Sequence, residues 1–110
     1  MIVGSTIFKM DGNAYYSPEF GRGGLSATFA LDVMNLEGAP TVSVTVEHRN
    51  ADETSFSNAG TFTSITTVGA KSADISDLKE ILRFKYEFDA GDQSTDGMHF
   101  LTMAPSWRPY

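Results

Sequence analysis

At 110 residues and with no cysteine, the chain has the length of one domain and must hold together by packing, because disulfides and thiolate metal centres are excluded. Fourteen acidic against eight basic residues leave a net charge of -6, which disfavours nucleic acid and anionic membranes as partners, since both are bound largely through Lys and Arg. No segment approaches the roughly 20 apolar residues of a membrane-spanning helix, and the start lacks a basic, long-apolar leader, so the expectation is a soluble chain made in the cytoplasm.

Residues 1–24 differ in character from the rest of the chain. The stretch MIVGSTIFKMDG alternates, and DGNAYYSPEFGRGG sets Tyr15, Tyr16 and Phe20 among glycines and a proline. It reads either as a first strand and loop or as an extended arm lying on a neighbouring subunit. From Leu25 a period of two takes over, the signature of a strand with one buried face. In LSATFALDVMNL the apolar set is Leu25, Ala27, Phe29, Leu31 and Val33, and in TVSVTVEH it is Val42, Val44 and Val46. EGAP between them predicts a hairpin with a loop of about four residues.

RNADETSFSNAG is polar and turn-rich and predicts an exposed connection. TFTSITTV predicts the next strand, GAKSAD a break, and ISDL a short strand; the alternative across SADISDLKEIL is a helical turn capped by Ser72, with Ile75, Leu78, Ile81 and Leu82 at helical spacing. KEILRFKYEFD then alternates most clearly, with Leu82, Phe84, Tyr86 and Phe88 inward and Arg83, Lys85 and Glu87 outward. DAGDQSTDG predicts a turn, and MHFLTMA a last strand with Met98, Phe100 and Thr102 on one side. Seven or eight strands at about ten-residue spacing predict an all-β, single-domain antiparallel β-sandwich, jelly-roll-like. The expected division is a strand or arm over 1–24, the sandwich over 25–104, and a C-terminal arm over 105–110.

Nothing in the chain marks a catalytic, cofactor or metal site. His48 and His99 are the two histidines and fall in no metal-binding spacing. The GRGG glycines at 21–24 are not bracketed by a strand and a helix as a phosphate loop requires, and the carboxylates of DAGDQSTDG and NADE match no calcium-loop pattern. The informative feature is apolar surplus. Leu101 and Met103 face away from Phe100, Met34 and Leu36 face away from Val33, and Tyr15, Tyr16, Phe20, Trp107 and Tyr110 sit in segments of weak strand character. Surplus of this kind, with Arg108 beside it, either caps the ends of the sandwich or forms a protein interface.

Four stretches, VTVEHRNADETSFSNAGTFTSI, LKEILRFKYEF, MHFLTMAP and the terminal SWRPY, resemble the small capsid accessory proteins of tailed bacteriophages, also called decoration or cement proteins. In that family a strand ending in a VEHRN-like turn precedes a Thr- and Ser-rich strand, and the chain closes on an APxWRPY-like tail. The resemblance spans residues 25–110. It implies a non-enzymatic β-sandwich that binds the outer surface of the virion, as a homo-trimer, and strengthens a shell of major capsid protein after synthesis in the host cytoplasm. The expected gripping elements are the terminal segments, with Ala104–Tyr110 leaving the sandwich as a proline-stiffened arm. Two other readings stand beside it: a carbohydrate-binding β-sandwich module, and a tail or head-completion component.

Overall fold

The computed structural model describes residues 3–8, 14–37, 41–89 and 97–109. Among these residues ten strands occur in chain order: β1 (Val3–Phe8), β2 (Tyr15–Tyr16), β3 (Phe20–Gly21), β4 (Ser26–Glu37), β5 (Thr41–Arg49), β6 (Ser57–Thr61), β7 (Gly69–Ile75), β8 (Ile81–Asp89), β9 (Gly97–Thr102) and β10 (Ser106–Arg108). No helix occurs among the described residues. Every strand pairing is antiparallel, and the strands form two sheets. In the first sheet β1 pairs β9, β9 and β10 pair one edge of β4, and β7 pairs the other edge. In the second, β2 and β3 pair β8, β8 pairs β5, and β5 pairs β6.

Between the sheets lies one core, built from the alternate residues that the period-two pattern selects. Phe29, Leu31, Val33, Met98 and Phe100 come from the first sheet, and Val42, Val44, Val46, Leu82 and Phe84 from the second, each with at most 4% of its surface exposed. Aromatic rings knit the layers: Phe29 meets Phe84 edge-on at 5.9 Å, and Tyr86 lies 5.1 Å from Phe100. Such contacts add about 0.5–1.5 kcal/mol each to the burial itself.

Two segments are broken strands built alike. β2 and β3 run along β8 with Ser17, Pro18 and Glu19 between them, and the register slips by one residue across the gap, from Tyr16↔Lys85 to Phe20↔Leu82. β9 and β10 run along β4 with Met103, Ala104 and Pro105 between, again with a one-residue slip, from Thr102↔Leu31 to Ser106↔Thr28. Proline has no N–H for the ladder and is confined to edges and bulges, so each break sits where the sequence places one.

Several expectations are corrected. β4 and β5 do not form a hairpin: they lie in different sheets and face one another across the core. Two strands with one apolar face each can bury them side by side or face to face, and alternation does not choose between the two. β6 starts inside the predicted polar connection, whereas TFTSITTV contributes only Thr61 to a strand. Phe62 and Ile65, spaced by three, enter the core instead, with Ile65 held by two backbone bonds to Val42. GAKSAD is strand β7 rather than a break, because an edge strand needs few apolar residues; Ala73 and Ile75 alone reach the core. The helical alternative is not adopted. The chain turns at Asp77, whose φ of 57° suits aspartate, and drops Leu78 into the core. Residues 90–96 of the DAGDQSTDG turn and the Gly38–Pro40 link lie outside the described residues.

Candidate functional site

The C-terminal segment is not an arm as far as Arg108. Because β10 resumes the course of β9, Trp107 lands opposite Ala27, whose small side chain leaves room on the core face. Its indole meets Phe29 edge-on at 5.9 Å. The 21–25 loop closes over it. A Cβ at Gly23 would lie 2.8 Å from the indole, and one at Gly24 would lie 2.2 Å from the Arg108 carbonyl oxygen, so close packing is the reason for those glycines. Tyr15 and Phe20 do the same work on the second sheet, with Tyr15 edge-on to Phe88 and Phe20 against Phe84 at 5.7 Å. Three predicted interface aromatics therefore pack against the chain's own core. At the other terminus β1 pairs β9 within the first sheet rather than reaching outward. Tyr110 lies outside the described residues.

Leu101 and Met103 fall elsewhere. With Phe29, Leu31 and Val33 inside, the residues between them on β4 point out, and the ladder sets Leu101, Asp32 and Ala70 in one row across three strands. The next row holds Met103, whose N–H bonds to the Ala30 carbonyl at 3.0 Å, then Ala30 and Ser72. At the far end a β-bulge between Val33 and Asn35 shifts the register. The bulge returns Leu36 to the core, opposite Met98, and leaves Met34 50% exposed, close to Val68, which is 57% exposed. At the near end the face turns polar: Arg108 Nη1 donates to Thr28 Oγ1 at 3.0 Å, and that hydroxyl donates to Asp74. Between the two ends the outward side chains of β4, β7 and β9 are small or apolar apart from Asp32, and beyond the bulge exposed Asn35 lies opposite exposed His99.

The outer face of the second sheet is built of charge. Arg83 Nε donates to Glu47 Oε1 at 2.8 Å, and its guanidinium lies 4.2 Å from the Tyr16 ring and 4.0 Å from the Phe56 ring. Arg49 stands 5.3 Å from the same Phe56 ring and 3.6 Å from Glu19. Lys79 pairs with Glu53 and Lys85 with Glu87. An open depression among Glu19, Arg49, Glu53, Phe56 and Arg83 lies at the centre. Each cation named here has its anion, and the Tyr16 and Phe56 rings are engaged by guanidinium. Tyr16 is the one predicted interface residue in this ladder. Sequence reasoning misses Arg49 and Phe56 because the connection that carries Phe56 has no period; the outward positions of Glu47 and Arg83 are legible from alternation.

Three groups among the described residues titrate away from their ordinary values, and one of them, Glu53, is held down by the Asn50 N–H and Lys79. Burial holds His48 below its usual value of 6.5, with the Lys79 cation acting in the same direction and Glu53 opposing it. The Tyr86 phenol is pushed up to about 12 by burial, partly offset by its hydrogen bond with Thr102. Tyr86 belongs to the second sheet and Thr102 to the first, so this bond satisfies two buried hydroxyls across the core. No group of three or more metal-ligating side chains occurs among the described residues. No family model matches the chain, and neither a curated protein nor a solved structure matches it.

Proposed function

We propose that the chain is a structural virion protein with a jelly-roll fold, which binds the outer surface of a phage capsid as a homo-trimer and stabilises the shell of major capsid protein. Strand order supports the fold reading. With each broken strand counted once, the first sheet runs β1, β9/β10, β4, β7 and the second runs β2/β3, β8, β5, β6. That interleaving of early and late strands accords with the jelly-roll arrangement, which recurs in viral capsid domains.

The observation that carries the functional reading is the outer face of the first sheet. Half-buried Leu101 and Met103 and exposed Met34 and Val68 lie outside the core, on a face that also carries Asp32 and, at its ends, Asn35 with His99 and Thr28 with Asp74. Surfaces of this kind on small domains mark protein interfaces. The gripping element is thus a sheet face instead of the terminal arm, and a trimer engaging a shell through three such faces gains avidity from modest contacts. A role without catalysis accords with this surface, which offers shape and apolar area. The carbohydrate-binding alternative draws less support, because sugar platforms need free ring faces, and Trp107, Tyr16 and Phe56 are each engaged within the molecule.

The test is stoichiometry. Purified protein is mixed with expanded shells of the cognate major capsid protein, and the particles are sedimented and quantified. Hundreds of copies per particle are expected; no co-sedimentation would overturn the reading, and twelve or fewer copies would point to a connector or tail component.

A further inference from the structure

The 50–56 loop is fastened to the segment between β7 and β8 by a short chain of bonds that runs through one buried imidazole. Glu53 and Asn50 close the turn on each other: the Glu53 N–H donates to the Asn50 carbonyl at 3.0 Å, and the Asn50 N–H donates to Glu53 Oε1 at 2.7 Å. The same carboxylate holds Lys79 Nζ at 3.1 and 3.2 Å. Glu80 Oε1 accepts from the Ala51 N–H at 2.9 Å, and Arg49 Nη1 donates to the Glu53 carbonyl at 2.8 Å. Lys79 is placed by its own N–H, which donates to Nδ1 of His48 at 3.2 Å. His48 is buried on β5, opposite Leu82 of β8 and Ser57 of β6.

The direction of that last bond matters. Nδ1 accepts, so the ring is neutral with its proton on Nε2; a protonated imidazole has only donors and would confront the Lys79 N–H with another N–H. The charged groups around it are the Lys79 ammonium and the Glu53 carboxylate, Asp74 and Asp77 lining the recess beside it, and Glu47 and Arg49 flanking it on β5. Glu53 is held below the usual carboxylate range, first by the Asn50 N–H and then by Lys79, so it remains an anion in mild acid and does not release the loop itself.

The geometry points to His48 as a proton-operated latch, whose protonation frees Lys79 and with it the 50–56 loop that lays Phe56 over Arg83 and Arg49. In its neutral form the ring fixes the Lys79 backbone, Lys79 fixes Glu53, and Glu53 fixes the turn three residues before Phe56. In mild acid the first bond is lost. The loop then loosens, and the aromatic and guanidinium ladder on the second sheet loses its central ring.

Amide hydrogen exchange on the intact protein tests this, at about pH 7.5 and about pH 5, either side of the ordinary histidine value. After correction for intrinsic rates, the Asn50, Ala51 and Glu53 amides are expected to lose about tenfold in protection at the lower pH, the equivalent of one unit of proton linkage, while β4 and β8 amides keep theirs. In His48→Gln, which cannot gain a proton, the ratio between the two pH values should be near one. Unchanged protection of the three loop amides in the wild-type protein would overturn the latch, and so would an equal loss in His48→Gln. Should that variant fail to fold, the wild-type comparison and a direct NMR titration of His48 still decide. Loop opening at a pH where the ring remains neutral would rule it out.

Discussion

The outer face of the first sheet and the outer face of the second are made by strands with the same alternation, yet they hold opposite chemistry. Across β4, β7 and β9 the outward rows read Leu101–Asp32–Ala70 and Met103–Ala30–Ser72. On β5 and β8 they read Glu47–Arg83 and Thr45–Lys85, with Tyr16 and Phe56 laid over Arg83. A charged face completes its own bonds and gains little from a partner, since desolvating paired ions costs about what their contact returns. The first sheet's outward rows, Asp32 apart, hold small and apolar side chains that a partner can cover without desolvating paired ions of the kind seen on β5 and β8. The contrast teaches that binding capacity here depends on what the fold leaves unused, rather than on where aromatic residues are most numerous in the chain.

Perturbing what the faces share should have the largest effect. Phe84 touches Phe20, Phe29 and Tyr86, and Phe84→Ala is expected to cost about 3–5 kcal/mol in urea unfolding. Removal of Trp107–Tyr110 comes next, at about 2 kcal/mol, since the indole is only partly buried; a truncated protein with unchanged thermal stability would restore the arm. The comparison itself is broken most directly by a pair of variants. Arg83→Ala leaves Glu47 without its partner, the Tyr16 ring without its cation and Phe56 with only the more distant Arg49, and should cost about 1–2 kcal/mol while leaving capsid occupancy alone. Leu101→Asp should do the reverse: occupancy falls about tenfold in sedimentation, and stability moves by about 0.5 kcal/mol. If both variants lose occupancy equally, the faces are not distinguished in function.

Around neutral pH the smallest effects are those of the titratable groups. Tyr86 favours its neutral form in the fold, so its contribution is complete below the ordinary value of 10.0 and is lost as pH rises toward about 12. His48 has its value lowered, so its contribution is complete above 6.5 and declines as pH falls through its folded value. Thermal melts across both ranges should show the two shoulders, and His48→Gln should remove only the acidic one.

Legibility divides by the kind of signal. The inward sets of β4, β5, β8 and β9 are readable, apart from Leu25, which precedes β4 and is 46% exposed, because alternation of large apolar with polar residues has one physical meaning, a strand with one buried face. β7 is not, because GAKSADI holds Ile75 as its one large apolar residue, and its strand state depends on the β4 edge it pairs. Counting residues sets both Met34 and Leu36 apart from the face of Val33. The bulge then sends Leu36 into the core and leaves Met34 outside, and no local residue announces that slip. The aromatics of the two termini stand out in the sequence as surplus, but their destination depends on Pro18 and Pro105 breaking strands that then resume along the same neighbour.

The all-β character, the single core between apolar strand faces and most of the residues lining it follow from the order of residues alone, because side-chain alternation is a local property of the backbone. Which strands share a sheet, the closing of the core by Trp107, and the meeting of Leu101 and Met103 with Met34 and Val68 on one outer face come from long-range packing. Those outcomes rest on contacts between residues as distant in the chain as Arg108 and Thr28, 80 positions apart, where no local preference acts and the burial of the whole chain selects the arrangement.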